Sequence, residues 1–238
     1  MTKMYLKKCE SVIHQSIKNK TDLISDTLCT YRFSIMFLTE TWINTNDSDL
    51  HMKNATPNGY SFLHKPRSTG QLGGGIGAIV HNDIKYVDSS SEIQEYPSFE
   101  HMVLRTTHSG ISVSYYLIYR PPPSAANRLS KGQFIPEFTD FLSSVSIRPG
   151  FMCILGDFNI HFDVHTDSER KQFVSLLSSL DLIQHVKGPT HSRGHTLDLI
   201  ITKKDNKLAD TTIGEMISDH NLVYAYQNFR KPTYQTKT

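Results

Sequence analysis

Cysteine is scarce in this chain. The three thiols, Cys9, Cys29 and Cys153, are odd in number and far apart. That pattern argues against a disulfide framework and fits a reducing compartment. No Cys/His spacing matches a zinc site, and the twelve histidines are scattered. Long hydrophobic runs are missing as well. Nothing approaches the roughly 18 apolar residues of a membrane span, so no membrane partner is expected. The basic opening from Met1 to Val12 has no apolar stretch behind it and does not read as a secretory leader. A nuclear or cytoplasmic protein is the expectation. Charge of either sign is not in excess: the formal net charge is +2, so bulk charge makes no case for a nucleic-acid partner. Repeats and low-complexity tracts are absent too.

What is present is an ordinary globular composition, 38% hydrophobic and 20% charged over 238 residues, enough for one substantial domain. Residues 33–38 form a continuous apolar run, as expected of a strand buried on both faces. Residues 75–80, 102–105, 111–119, 151–155, 197–201 and 222–226 read as further strands. His108-Ser109-Gly110 marks a hairpin turn between two of them. Helical spacing joins Phe134, Phe138, Phe141, Leu142 and Val145, and again Phe173, Leu176, Leu177 and Leu180. Thr166-Asp167-Ser168-Glu169 has the capping-box form ahead of the second helix, with Thr166 as cap and Glu169 reaching back. Residues 21–28 make a weaker helix. Strands interleaved with helices predict a layered α/β or α+β domain with mixed sheets.

Four short motifs place acidic and amide side chains next to these strands: Leu38-Thr39-Glu40-Thr41-Trp42, Gly156-Asp157-Phe158-Asn159, His195-Thr196-Leu197-Asp198 and Ser218-Asp219-His220-Asn221. Taken singly, each is more simply a solvated turn or surface polarity. Together they supply carboxylates, an Asn and a His at strand ends, a common place for an active site. Hard oxygen ligands suit Mg²⁺. The remaining groups can activate water and hold a phosphate oxygen, which fits metal-assisted phosphoester hydrolysis. Gly73-Gly74-Gly75-Ile76-Gly77 lacks the Lys-Ser/Thr of a phosphate loop, so its glycines are read as allowing close backbone packing. Lys203, Lys204 and Lys207 are read as a solvated loop ahead of a phosphate-contacting patch.

The order of these motifs, with Ile-Tyr-Arg-Pro-Pro at residues 118–122 and Thr-His-Ser-Arg-Gly-His-Thr-Leu-Asp-Leu at 190–199, resembles the endonuclease domain of LINE-type, non-long-terminal-repeat retrotransposons. That family groups with AP endonucleases and DNase I in the endonuclease/exonuclease/phosphatase superfamily. The resemblance implies a DNase I-like four-layer sandwich of two mixed β-sheets flanked by helices, spanning residues 16–227. A degenerate segment at 1–15 precedes it, and a polar tail at 228–238 follows. It implies Mg²⁺, or Mn²⁺ in its place, and a monomer that nicks DNA to leave a 3′-hydroxyl, with no small-molecule cofactor. Glu40 would ligate the metal, with Asp219 as a second ligand. Asp157 would orient or deprotonate water, Asn159 and Tyr119 would bind the scissile phosphate, and His220, oriented by Asp198, would contact it too. Without the resemblance, Tyr119 reads as a half-buried strand tyrosine. His161 and His195 receive no catalytic step and are read as structural or DNA-facing.

The family's first strand ends in Asn-x-Arg-Ser-Leu. Here the aligned residues are Ile13-His14-Gln15-Ser16-Ile17, so the Asn position is Ile13 and the Arg position is Gln15. Lys7-Lys8-Cys9-Glu10 is poor material for a core strand, and the first strand is expected to be replaced or lost. Nothing after Tyr226 could be a reverse transcriptase, so the expectation is a domain detached from its element. Two alternatives stand beside the nuclease: a catalytically impaired relic that at most binds nucleic acid, and a same-fold hydrolase of a small phosphoester.

Overall fold

The computed structural model describes residues 9–13, 17–45, 47, 49–67, 73–108, 110–124, 127–206, 208 and 210–227. In chain order its first half runs β1 (Cys9–Ile13), α1 (Thr21–Tyr31), β2 (Ile35–Thr39), α2 (Leu50–Ala55), β3 (Tyr60–Lys65), β4 (Ile76–His81), β5 (Tyr86–Asp88) and β6 (Glu100–His108). The second half runs β7 (Ile111–Tyr119), α3 (Phe134–Ser146), β8 (Phe151–Asp157), α4 (Ser168–Ser179), β9 (Leu182–Gln184), β10 (Asp198–Lys203), β11 (Asp210–Met216) and β12 (Asn221–Tyr226). Two six-stranded sheets result, ordered β11-β12-β1-β2-β4-β3 and β5-β6-β7-β8-β10-β9. Both are mixed: β1 with β2, and β7 with β8, are parallel, while the other pairs are antiparallel.

Strand periodicity explains why the apolar runs are continuous. Along β2, Ile35 and Phe37 enter the core between the sheets, while Met36 and Leu38 face α1 and its neighbours. Along β7 and β8, Tyr115, Leu117, Cys153 and Leu155 point to the inter-sheet core. Tyr116, Ile118, Met152 and Ile154 point to the layer of α3 and α4. Both faces of each strand are thus removed from water, as four layers require. The outer core is unusually aromatic: Phe134, Phe138, Phe141, Phe158 and Phe173 form a chain of stacked and edge-on rings. Among the described residues no helix is long and apolar enough to cross a membrane.

Two expectations need correction. The first strand is present: the backbone of Cys9–Ile13 pairs with β2 on one side and β12 on the other. Pairing on both sides supplies backbone hydrogen bonds that do not depend on a strand-like sequence. Gln15 lies outside the described residues. The cap of α4 also moves by one residue. Asp167, not Thr166, accepts from the Arg170 N–H at 2.7 Å, and Glu169 turns instead to Arg120 at 2.6 Å. Of the lysine cluster, Lys203 reaches the Ser146 carbonyl at 2.7 Å, which ties it to the end of α3. Lys207 lies outside the described residues.

Candidate active site

Strand register alone brings most of the acidic motifs together. Tyr119 ends β7 opposite Asp157, which ends the parallel β8. Asp157 in turn lies opposite Asp198, the first residue of the antiparallel β10. Three side chains far apart in sequence are therefore adjacent at one sheet end. The other sheet contributes Glu40, just past β2, whose carboxylate accepts a short hydrogen bond from the Tyr119 hydroxyl. His220 precedes β12 and closes the group, its Nδ1 2.8 Å from Asp198 Oδ2.

The local backbone is built for this convergence. Gly156 has φ +135°, and a Cβ there would run into the Ile118 carbonyl oxygen of the neighbouring strand. Only glycine lets β8 approach β7 closely enough to deliver Asp157. Gly75 (φ +79°) plays the matching part near Glu40, since a Cβ would lie 2.6 Å from Thr41 Oγ1. Its carbonyl accepts from the Thr41 N–H at 3.0 Å. The close-packing reading of these glycines holds. Glu40 and Asn159 themselves adopt left-handed φ, +53° and +47°, a conformation that costs energy and recurs at functional sites.

Asp157 is 2% exposed and Asp198 is fully enclosed. Asn159 serves Asp157 twice, its backbone N–H donating to Oδ1 at 2.9 Å and its amide to Oδ2 at 2.8 Å. The same amide nitrogen donates to the Arg120 carbonyl at 2.8 Å. Asn159 therefore holds Asp157 in place, and its N–H groups are engaged before any phosphate arrives. Burial, reinforced by the charge of Asp198, pushes the Asp157 carboxyl well above its ordinary range. For His220 burial opposes the charge, but Asp198, Asp157 and Asp219 outweigh it and push its pKa up to about 9. Tyr119 is held above its usual value by burial and by the negative charge of Glu40, so it stays a neutral phenol. Burial pushes Asp219 up, but the charge of His220, hydrogen bonds from its own backbone N–H and from Ser218, and the charge of His191 together outweigh it and leave the carboxyl below its usual range.

Several contributors were given no role from the sequence, although Thr190, His191 and Arg120 stand within its motifs. Thr190, fully buried, accepts from the N–H groups of Leu197 (3.0 Å) and Asp198 (3.1 Å) and fixes the loop entering β10. His191 meets His220 edge-on, with ring centroids 4.7 Å apart. It lies 3.6 Å from the Asp219 carboxylate. Donor atoms of His191, Asp219 and His220 all lie within 4.8 Å of one another. Arg120 is 1% exposed; it sits over the Phe134 ring and pairs with Glu169. Its backbone N–H donates to the Asp157 carbonyl at 2.9 Å, bracing the same corner. His161 and His195 stack face to face at 3.9 Å, with Asp163 3.0 Å from His195 Nδ1. That fits their structural or DNA-facing reading.

Two six-stranded mixed sheets between helices define the endonuclease/exonuclease/phosphatase fold, and the acidic–histidine–tyrosine cluster lies at the strand ends. Residues 113–224 match the family model described as endonuclease-reverse transcriptase. The fold is similar to that of the endonuclease domain of TRAS1, a telomere-specific non-LTR retrotransposon (TM-score 0.71, 15% identity, 93% of this chain and 98% of that one). It is also similar to the AP endonuclease LMAP from Leishmania major (TM-score 0.73, 13% identity, 95% and 89%). A third neighbour is the 3′ phosphatase NExo from Neisseria bound to a product DNA hairpin (TM-score 0.65, 18% identity, 94% and 100%). The comparison with curated proteins gives no match. The resemblance to retrotransposon endonuclease domains drawn from the motifs is thus borne out by the family match, and the DNase I-like sandwich by the fold.

Proposed function

We propose that this chain is a metal-dependent DNA endonuclease of retrotransposon origin that hydrolyses a phosphodiester and leaves a 3′-hydroxyl. The observation that carries this reading is the buried Asp157 between Tyr119 and the Asp198–His220 pair, with Glu40 meeting Tyr119 from the other sheet. The nuclease neighbours and the endonuclease-reverse transcriptase match support DNA as the substrate.

In this reading Asp157 accepts the proton of an attacking water, because burial makes its carboxylate unusually basic. Asn159 fixes the orientation of that carboxylate. Water oxygen bonds to phosphorus, the bond to the 3′-oxygen breaks, and the leaving oxygen takes a proton from solvent. His220, charged at neutral pH, donates from its other ring nitrogen to a non-bridging phosphate oxygen, and Asp198 holds the ring and stabilises its charge. Tyr119 turns its neutral hydroxyl from Glu40 to the phosphate.

The donor chemistry fits a divalent cation. Glu40, Asp157, Asp198 and Asp219 lie near enough to act on the same neighbouring charges, among them His220 and Lys20. Asp198 Oδ1 is buried with no hydrogen-bond partner among the described residues. Glu40 and Asp219 would hold the ion, with Asp198 Oδ1 left free beside them, while both oxygens of Asp157 accept from Asn159. Mg²⁺ there would neutralise charge building on the phosphate. The test compares duplex DNA with inositol phosphates and phospholipids as substrates in Mg²⁺. Turnover of DNA alone supports the proposal. Turnover of the small esters alone replaces it with a phosphoesterase of the same fold, and no turnover of either favours the relic.

A further inference from the structure

We infer that Trp42 forms a stacking platform for a base flanking the cut site, in a cleft that continues outward from Glu40 and Tyr119. The inference rests on the nuclease reading of that site and specifies where its substrate lies. The cleft measures about 620 Å³ and runs from Glu40 and Tyr119 to Trp42, Arg67 and the proline turn at 121–123. A volume of that order accommodates a nucleotide-sized group.

Trp42 is the only tryptophan of the chain, and its side chain stands 40% exposed despite its size. It is not a floppy surface residue. Its backbone N–H donates to the Gly74 carbonyl at 2.9 Å, one residue after Thr41 is tied to Gly75. Its φ of +54° is a left-handed conformation that a tryptophan seldom adopts. Gly73 lies against the indole, where a Cβ would come within 3.5 Å of the ring. The chain thus carries a strained backbone that presents an indole to a cleft. Folding alone gains little from that arrangement, whereas stacking on a base would use it.

A second feature points to the same ligand. Arg67 lies over the Tyr119 ring at 5.7 Å, and its Nε pairs with Glu100 at 2.5 Å. Nη2 of the same guanidinium is buried and has no hydrogen-bond partner among the described residues. A buried N–H group without a partner is costly, so the nitrogen is suited to an acceptor supplied by a ligand. A nucleotide offers both complements: a π face for the indole, and phosphate or base oxygens for the guanidinium. The opposite wall is fixed, with Asn127 donating to the Pro122 carbonyl at 2.8 Å and accepting from Ser124 N–H at 2.9 Å.

Because Trp42 is the sole tryptophan, its fluorescence reports this contact directly. The Asp157→Ala protein in Mg²⁺ is titrated with a labelled duplex oligonucleotide, following label anisotropy and Trp42 emission together. Emission should change and become shielded from acrylamide at the concentration where anisotropy saturates. Trp42→Ala in the same background should bind roughly 5- to 150-fold more weakly, the range expected for loss of one base stack. Trp42→Phe should recover most of that loss. If anisotropy reports binding while emission and acrylamide access stay fixed, and Trp42→Ala binds as tightly, the inference is overturned and the nuclease reading survives. A protein that binds no DNA overturns both.

Discussion

Glu169→Ala should unfold the corner that carries the active site. Arg120 has a side chain only 2% exposed, and Glu169 is its carboxylate partner at 2.6 Å. The other contacts of the guanidinium are the Phe134 ring at 4.5 Å and a long approach to the Phe158 carbonyl at 3.4 Å. Removing one partner of a buried pair typically costs about 3–5 kcal/mol, because the remaining charge is left without a counter-charge. Glu169 is 17% exposed, so water can partly replace it, and the lower end, about 3 kcal/mol, is expected. For a domain of this size that corresponds to a fall in Tm of roughly 6–12 °C. Replacing both partners, Arg120→Met with Glu169→Leu, should cost less than the single change, since no lone charge is then buried. Urea unfolding of the parent, the single variant and the double variant measures all three. A Glu169→Ala protein within about 1 kcal/mol of the parent, or a double variant worse than the single, would refute this account of Arg120.

Three further outcomes follow from the site. Asp157→Asn should raise Tm by about 2–6 °C while abolishing nicking, because it removes a buried charge that folding has to desolvate; calorimetry showing a lower Tm would contradict this. His220 has a pKa raised above its unfolded value, so its contribution to stability is complete below about pH 6.5 and is lost as pH rises through about 9. Urea midpoints of the parent and His220→Gln should therefore converge across that window, and a gap that widens with pH would show that the sign is wrong. Ile13, paired with Thr39 at the strand end beside Glu40, stands where the resembling family has an Asn. Ile13→Asn should raise Mg²⁺-dependent nicking by on the order of a hundred- to a thousand-fold, measured at matched folded concentration, and an unchanged rate in a well-folded variant would remove Ile13 from the site.

Fold and site were legible in the sequence to different depths. The runs that became β2, β7 and β8 were readable because both faces are buried, which leaves an unbroken apolar signal. β3 and β11 went unrecognised, since most of their residues are only half-buried and alternate weakly. The short helix Leu50–Ala55 was missed as well, having one buried residue. β1 was doubted on its residues, yet it is held by backbone pairing on both sides, which composition does not report. At the site, Glu40, Asp157, Asp198 and His220 stood in motifs and did converge. Thr190, His191, Arg67 and Arg120 owe their places to contacts between residues far apart in sequence, such as Arg120 with Glu169 or Arg67 with Glu100. Three of them stand inside the motifs, which did not say what each would touch, and Arg67 looks like an ordinary polar residue until the chain is folded.

Supercoiled plasmid, incubated with the parent and with Ile13→Asn, each with and without Asp157→Ala, in Mg²⁺ or in EDTA, tests the nuclease reading most directly. The account predicts open-circular product that needs Mg²⁺, is more abundant with Ile13→Asn, and disappears in both Asp157→Ala proteins. The nicks should be extended by a DNA polymerase without prior end repair, since they carry 3′-hydroxyls. Nicking that persists in EDTA, or at the parent rate in Asp157→Ala, would contradict it, as would intact plasmid with the folded Ile13→Asn protein.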